Sequence, residues 1–205
     1  MARLRKGMFV KGQETRRALM QAAQIVFERE GFMRAEIGQI TEQAGKGKGT
    51  FYLYFDNKQQ LLAAMADAFA EEVRGPDMLA SPTHPPEQIR AVLVAIWTTY
   101  KRHAATFRAM ADAAVRHPEF DEKYQDLRSQ GRRDFTAMLK ARQAAGACQH
   151  LCADLAASVL ERMVNASLYE WLALRQDSLV NEAEEARALD TLVLIARAVM
   201  ELGPE

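Results

Sequence analysis

Apolar residues in this chain recur every three to four positions almost throughout, and no stretch of useful length alternates with a period of two. From Glu14 to Glu30 one face is built by Leu19, Ala22, Ala23, Val26 and Phe27, a spacing that gathers side chains on one side of an α-helix. No Asn-Gly or Asp-Gly pair marks a tight hairpin, so strands have neither their pattern nor their turns. The fold class is therefore all-α. The periodicity predicts about nine helices, near residues 14–30, 36–44, 47–55, 57–74, 87–103, 105–117, 119–145, 151–176 and 182–202.

Punctuation between the helices is equally specific. Gly31 supplies the left-handed residue that closes the first helix, and Phe32 can fold back onto it. Gly45 allows a tight turn after a short helix carrying Ile37, Ile40 and Ala44. Asn57 and Gln60 stand at capping-box spacing before Leu61, Leu62, Met65 and Phe69. The stretch GPDMLASPTHPP, Gly75 to Pro86, holds four of the six prolines and is the clearest break. We divide the chain into residues 1–58, a small basic unit, and 59–205, a linking helix with a larger helical body.

Charge separates the same regions. The 27 basic and 27 acidic residues cancel overall, yet residues 1–60 carry a net +5 and residues 61–205 a net −5. A basic head on an acidic body suits a polyanionic partner at one end. No apolar run approaches the roughly 20 residues that cross a bilayer, so no membrane partner is expected. Arg3, Arg5 and Lys6 precede only a short apolar patch, Met8 to Val10, unlike a signal peptide. With two cysteines, this points to the reducing cytoplasm.

The segment AGKGKGTFYLYFDNK, Ala44 to Lys58, puts tyrosines among lysines and glycines. At about 100° per residue, Phe51 and Phe55 fall together and face the core. Gly49, Thr50 and Leu53 lie opposite, with Tyr52 and Tyr54 on either flank. A face that is low in the middle with a phenol at each side can enter a major groove about 12 Å wide and reach phosphates on both walls. Lys48 stands in the first turn, where recognition helices offer base or phosphate contacts. Lys58 adds charge beside the free N–H groups of the next helix, a phosphate site.

The run GFMRAEIGQITEQAGKGKGTFYLYFDNKQQLL resembles the DNA-binding domain of the TetR family of bacterial transcriptional regulators. Gly31-Phe32, Ile40, Ala44-Gly45, Gly49-Thr50-Phe51-Tyr52, Phe55 and Lys58 stand at the family's spacing. The resemblance implies a helix-turn-helix in the second and third helices of a three-helix head, with the remaining helices binding ligand and dimerising. It implies DNA contacts from Gly47, Lys48, Gly49, Thr50, Tyr52, Tyr54 and Lys58. Three departures stand out: Ala35 where Thr commonly caps the second helix, Lys46-Gly47 for Val-Ser, and Tyr54 for a common His. The body is similar to the EthR-type branch of mycobacterial regulators, whose middle helices hold elongated apolar ligands.

In the body, Trp97, Tyr100, Phe107, Met110, Tyr124, Phe135 and Met138 lie on three successive predicted helices around a junction at His103. Aromatics and methionines at this spacing make either plain core or the lining of an apolar ligand site. Asn165, on an apolar helix, needs a partner for its amide; protein or a ligand carbonyl can serve, and Tyr169 lies one turn on. Two further stripes, Val159, Leu160, Met163, Leu168 and Trp171, then Leu189, Leu192, Val193, Ala196 and Val199, predict pairing with a second copy in a four-helix homodimer interface.

Other chemistry finds little support. Cys148, His150 and Cys152 are three metal-type ligands in five residues, but a structural zinc site needs four; no metal or other cofactor is expected. His84, His103 and His117 form no set with a nucleophile, and no phosphate loop or paired carboxylates stand out, so no enzyme is expected. The expected function is a ligand-released repressor on a near-palindromic DNA operator, acting as a homodimer with a small apolar effector. The alternative is a helical regulator or adaptor triggered by a protein partner, redox change or metal.

Overall fold

The computed structural model describes residues 2–73, 86–174 and 181–201. Among the described residues there are eight α-helices and no strand: α1 (Ala2–Glu30), α2 (Ile37–Gln43), α3 (Lys48–Tyr52), α4 (Lys58–Val73), α5 (Pro86–Ala114), α6 (Pro118–Ala144), α7 (Ala153–Leu168) and α8 (Glu182–Glu201). Past Leu168 the chain widens into a π-helical segment, Tyr169–Leu174. Most of the Pro-rich break, residues 75–85, lies outside the described residues.

The junction expected near His103 is present as a kink within α5, where two helical segments meet. His103 itself is non-helical there, at φ −111° and ψ 16°. Helix α1 begins at Ala2, twelve residues before its expected start at Glu14. Once a helix is nucleated, each added residue gains a hydrogen bond, so a stretch free of proline can extend it.

The chain forms two compact units, Met1–Ala68 with Ala105–Asp121 and Phe69–Ala104 with Glu122–Glu205. In the first, Leu19, Val26, Phe27, Ile40, Phe51, Leu61 and Leu62 are buried. Gly31 and Gly45 take φ of 74° and 62°, the left-handed values their turns require. The Phe32 ring packs edge-on against Phe27 with centroids 5.3 Å apart. At the start of α4 the Gln60 amide N–H donates to Asn57 Oδ1 at 2.8 Å, while Gln60 Oε1 accepts from the Asp56 N–H at 2.6 Å. Helix α2 starts without the missing threonine: Glu36 is its N-cap, and Gln39 Oε1 accepts from the Glu36 N–H at 2.9 Å.

In the second unit α7 buries Ala157, Leu160, Glu161, Val164 and Leu168, and α8 buries Leu192, Val193, Ala196 and Met200. Of the ten residues in the two expected dimer stripes, Leu160, Leu168, Leu192, Val193 and Ala196 are buried within their own protomer, while Val159 is 65% exposed. The exposed apolar side chains on these helices are Val159, itself a stripe residue, and Leu155 on α7, with Leu194 and Ile195 on α8. Periodicity reveals an apolar stripe but not which chain covers it.

Candidate nucleic-acid interface and effector region

Helix α3 is one turn and a half long, and its two faces differ sharply. Phe51 and Phe55 are buried with ring centroids 5.7 Å apart, anchoring the helix from beneath. On the other side Gly47, Lys48 and Gly49 are exposed, and Thr50 is half-buried. A Cβ at Gly47 or Gly49 would meet nothing within 4 Å, so the centre of this face is open to an approaching surface. Tyr52 is 56% exposed and Leu53 79%, both directed away from the core.

The remaining residues expected to touch DNA divide. Lys48 runs back across α2, where a Cβ on Gly38 would come within 3.1 Å of its Cε. Tyr54 is only half-exposed, and its hydroxyl lies 3.7 Å from where a Cβ on Gly12 would stand. Thus Tyr54 flanks α3 on the α1 side. Lys58 departs from its expected role as a phosphate site. Its ammonium donates to the carbonyls of Phe32 at 2.8 Å, Met33 at 2.9 Å and Ala35 at 3.1 Å, which engages all three N–H bonds. It also lies 4.9 Å from the centre of the Phe32 ring. Burial lowers its pKa from the usual lysine value, with Glu36 opposing.

Arg16 was not foreseen from the sequence. Its guanidinium lies 5.3 Å from the centre of the Phe55 ring, alongside α3. Its exposed side chain donates to Met20 Sδ at 3.6 Å. Gly12 and Arg16, four apart on α1, thus border Tyr54 and Phe55. The Lys/Arg surplus of the N-terminal region was the available signal, but it could not select Arg16.

In the second unit Trp97, Tyr100, Phe135 and Met138 are buried, and Tyr124, Asn165 and Tyr169 are half-buried. Trp97 packs on Trp171 with centroids 6.2 Å apart. Phe107 and Met110 are buried and belong to the first unit. Along α5 they follow the bend at His103, while Trp97 and Tyr100 precede it. Around Asn165 the polar groups form one network. Arg128 Nε and Nη2 donate to the Glu161 carboxylate at 2.9 and 3.2 Å. Asn165 Nδ2 donates to Glu161 Oε1 at 2.8 Å and to the Glu161 carbonyl at 3.1 Å, while the Tyr100 hydroxyl donates to Asn165 Oδ1. Of the two partners open to the Asn165 amide, protein groups hold it at both ends. Burial pushes the Tyr100 and Tyr124 hydroxyl pKa values up, most strongly for Tyr100. The Glu161 hydrogen bond raises that of Arg128 above its ordinary value.

Cys148 is buried at φ 41°, and Cys152 is the exposed N-cap of α7. Among the described residues no three His, Cys, Asp or Glu side chains are grouped to hold a metal ion.

A short buried-backed helix with an open face, reached from α2 through the Gly45 turn, is the architecture of a helix-turn-helix transcriptional regulator. The chain belongs to the TetR family: residues 19–65 match "Bacterial regulatory proteins, tetR family", and residues 88–199 match "AefR-like transcriptional repressor, C-terminal domain". Such regulators are DNA-binding proteins rather than enzymes. The chain is 27% identical over 139 residues to the HTH-type transcriptional regulator EthR of Mycolicibacterium smegmatis, covering 66% of this chain and 64% of that one. The matched stretch is thus less than two thirds of that relative's own length. Among solved structures, the TetR-family regulator PfmR of Thermus thermophilus is similar at a TM-score of 0.69 and 17% identity, over 91% of this chain and 98% of that one. The complex of SmeT with triclosan is similar at a TM-score of 0.63 and 22% identity, over 89% and 91%.

Proposed function

We propose that the protein is a repressor that binds a near-palindromic operator as a homodimer and leaves it when a small, mostly apolar ligand binds the second unit. The observation that carries the DNA-binding part is the exposed face of α3. Gly47 and Gly49 admit the groove wall, Lys48, Thr50 and Tyr52 reach phosphates or base edges, and Leu53 can meet a thymine methyl. Tyr54 and Arg16 border this face on the α1 side, where a guanidinium suits a flanking phosphate. Lys58 is left out of the contact set, since its donors are engaged.

The test is the salt dependence of binding to a duplex selected by the wild-type protein from random sequences. Each lost phosphate contact lowers the slope of log K against log salt by about 0.9, or about 1.8 for a dimer with two heads. Lys48→Ala and Arg16→Ala should each do so. A wild-type protein whose binding ignores salt would remove the proposal.

Dimerisation is supported by Leu155, Val159, Leu194 and Ile195, exposed on the last two helices. We expect Leu194→Glu to give folded monomers in sedimentation at micromolar concentration, with operator binding lost. Persistence of the dimer would place the interface elsewhere.

The effector part rests on the aromatic group of Trp97, Tyr100, Tyr124, Phe135 and Met138, and on SmeT, a structural relative, having been solved with triclosan. A ligand releases the operator only to the extent that it binds the released state more tightly, and a coupling of about 1–3 kcal/mol gives roughly 5–150-fold release. A thermal-shift screen of hydrophobic compounds in which none raises the melting temperature would exclude this part alone.

A further inference from the structure

The end of α1 and the turn into α2 are held by cations from three places, and one of them lies far along the chain. The last carbonyls of a helix lack partners within it and carry its partial negative charge. Here Arg108 Nη2 donates to the Glu28 carbonyl at 2.8 Å and the Phe27 carbonyl at 3.3 Å. Arg34 Nε donates to the Glu30 carbonyl at 3.0 Å. The Lys58 ammonium takes the carbonyls of Phe32, Met33 and Ala35. Between them the Phe32 ring is packed by Phe27, by Lys58 and by Phe120, whose centroid lies 6.4 Å away.

Arg108 and Phe120 belong to residues 105–121, within the second family match, yet this stretch is part of the first compact unit. It lies just beyond the bend at His103. The turn it grips leads directly into α2, whose far end sets α3 through the Gly45 turn. We infer that Arg108 is a positioning residue for DNA binding: through the carbonyls of Phe27 and Glu28, with Phe120 against Phe32, it fixes where the helix-turn-helix starts. Lys58 acts on the same turn from α4. The inference rests on the DNA-binding reading above, but it assigns Arg108 no phosphate of its own.

That distinction gives the test. Full-length wild type, Arg108→Met, Phe120→Leu and Lys48→Ala are titrated against the selected duplex over a range of potassium chloride concentrations, at a temperature well below the onset of melting. Arg108→Met should bind about five- to thirtyfold more weakly, the effect of one or two kilocalories per mole in the docking geometry. Its salt slope should stay at the wild-type value, because no phosphate contact is lost. Amide exchange at Gly31 and Ala35, which donate to the Phe27 and Gly31 carbonyls at 2.9 and 3.1 Å, should quicken. Phe120→Leu keeps every charge and should show the same pattern more weakly, which serves if Arg108→Met does not fold. Wild-type affinity in the folded variants overturns the inference. So does a slope reduced by about 1.8 in Arg108→Met, since Arg108 would then be a phosphate ligand itself. An unchanged slope in Lys48→Ala, by contrast, strikes the reading of α3 and leaves the Arg108 result to be judged on its own affinity.

Discussion

Two arginines in the two units show how much depends on what a cation is given to hold. Arg108 ends on neutral backbone carbonyls at the close of α1. Arg128 ends on the carboxylate of Glu161, which is 2% exposed. A carbonyl that loses its donor can turn to water at a helix end. A buried carboxylate that loses its arginine has nowhere to place its charge. The first arrangement can be loosened and re-formed at modest cost, while the second locks α6 to α7. The difference suits a head that must adapt to DNA and a body that must remain a defined shape around whatever it binds.

The comparison breaks if Arg128→Met is mild. Removing one partner of a buried pair typically costs about 3–5 kcal/mol, and the partial exposure of Arg128 places the expected loss at the lower end. Urea unfolding would read it, and replacing both partners, Arg128→Met with Glu161→Leu, should restore most of the stability. A smaller effect is expected from Asn165→Leu, which removes the acceptor of the Tyr100 hydroxyl and one donor to Glu161: roughly 1–3 kcal/mol. A loss as large as that of Arg128→Met would mean that the amide, not the ion pair, organises the network. The smallest effect belongs to Lys101→Ala. Lys101 meets Glu185 at 2.6 Å, but its own side chain is 56% exposed, and such surface pairs give about 0.2–1 kcal/mol. A loss equal to that of Arg128→Met here would show that charge in any setting, buried or not, holds the second unit.

Much of the head was readable from its sequence because its signals are local. The four-residue spacing of Phe51 and Phe55, the positive φ of Gly31 and Gly45, and the Asn57–Gln60 cap each depend on neighbours within one turn. The fold class followed from the same periodicity. The carbonyls that Lys58 holds were not legible because they lie 23 to 26 residues away; a sequence displays a charge, not its target. Asn165 shows the same limit, its oxygen meeting Tyr100 from 65 positions distant. The α7 and α8 stripes were visible as stripes, but own-chain burial and partner burial share one period. Phe107 and Met110 looked continuous with Trp97 and Tyr100 along one helical pattern. The change of unit occurs at a bend that leaves that pattern intact.

The bend at His103 also bears on anyone who would build hybrid regulators by exchanging modules. The two family matches suggest a single seam between residues 65 and 88. A donor head cut there would arrive without Arg108 and Phe120 and would rest on whatever side chains the recipient happened to present. Transplanting this reader of DNA intact calls for two grafts, residues up to 68 and the stretch 105–121, with the recipient's own helix joined at the bend. The portable part is discontinuous in the gene.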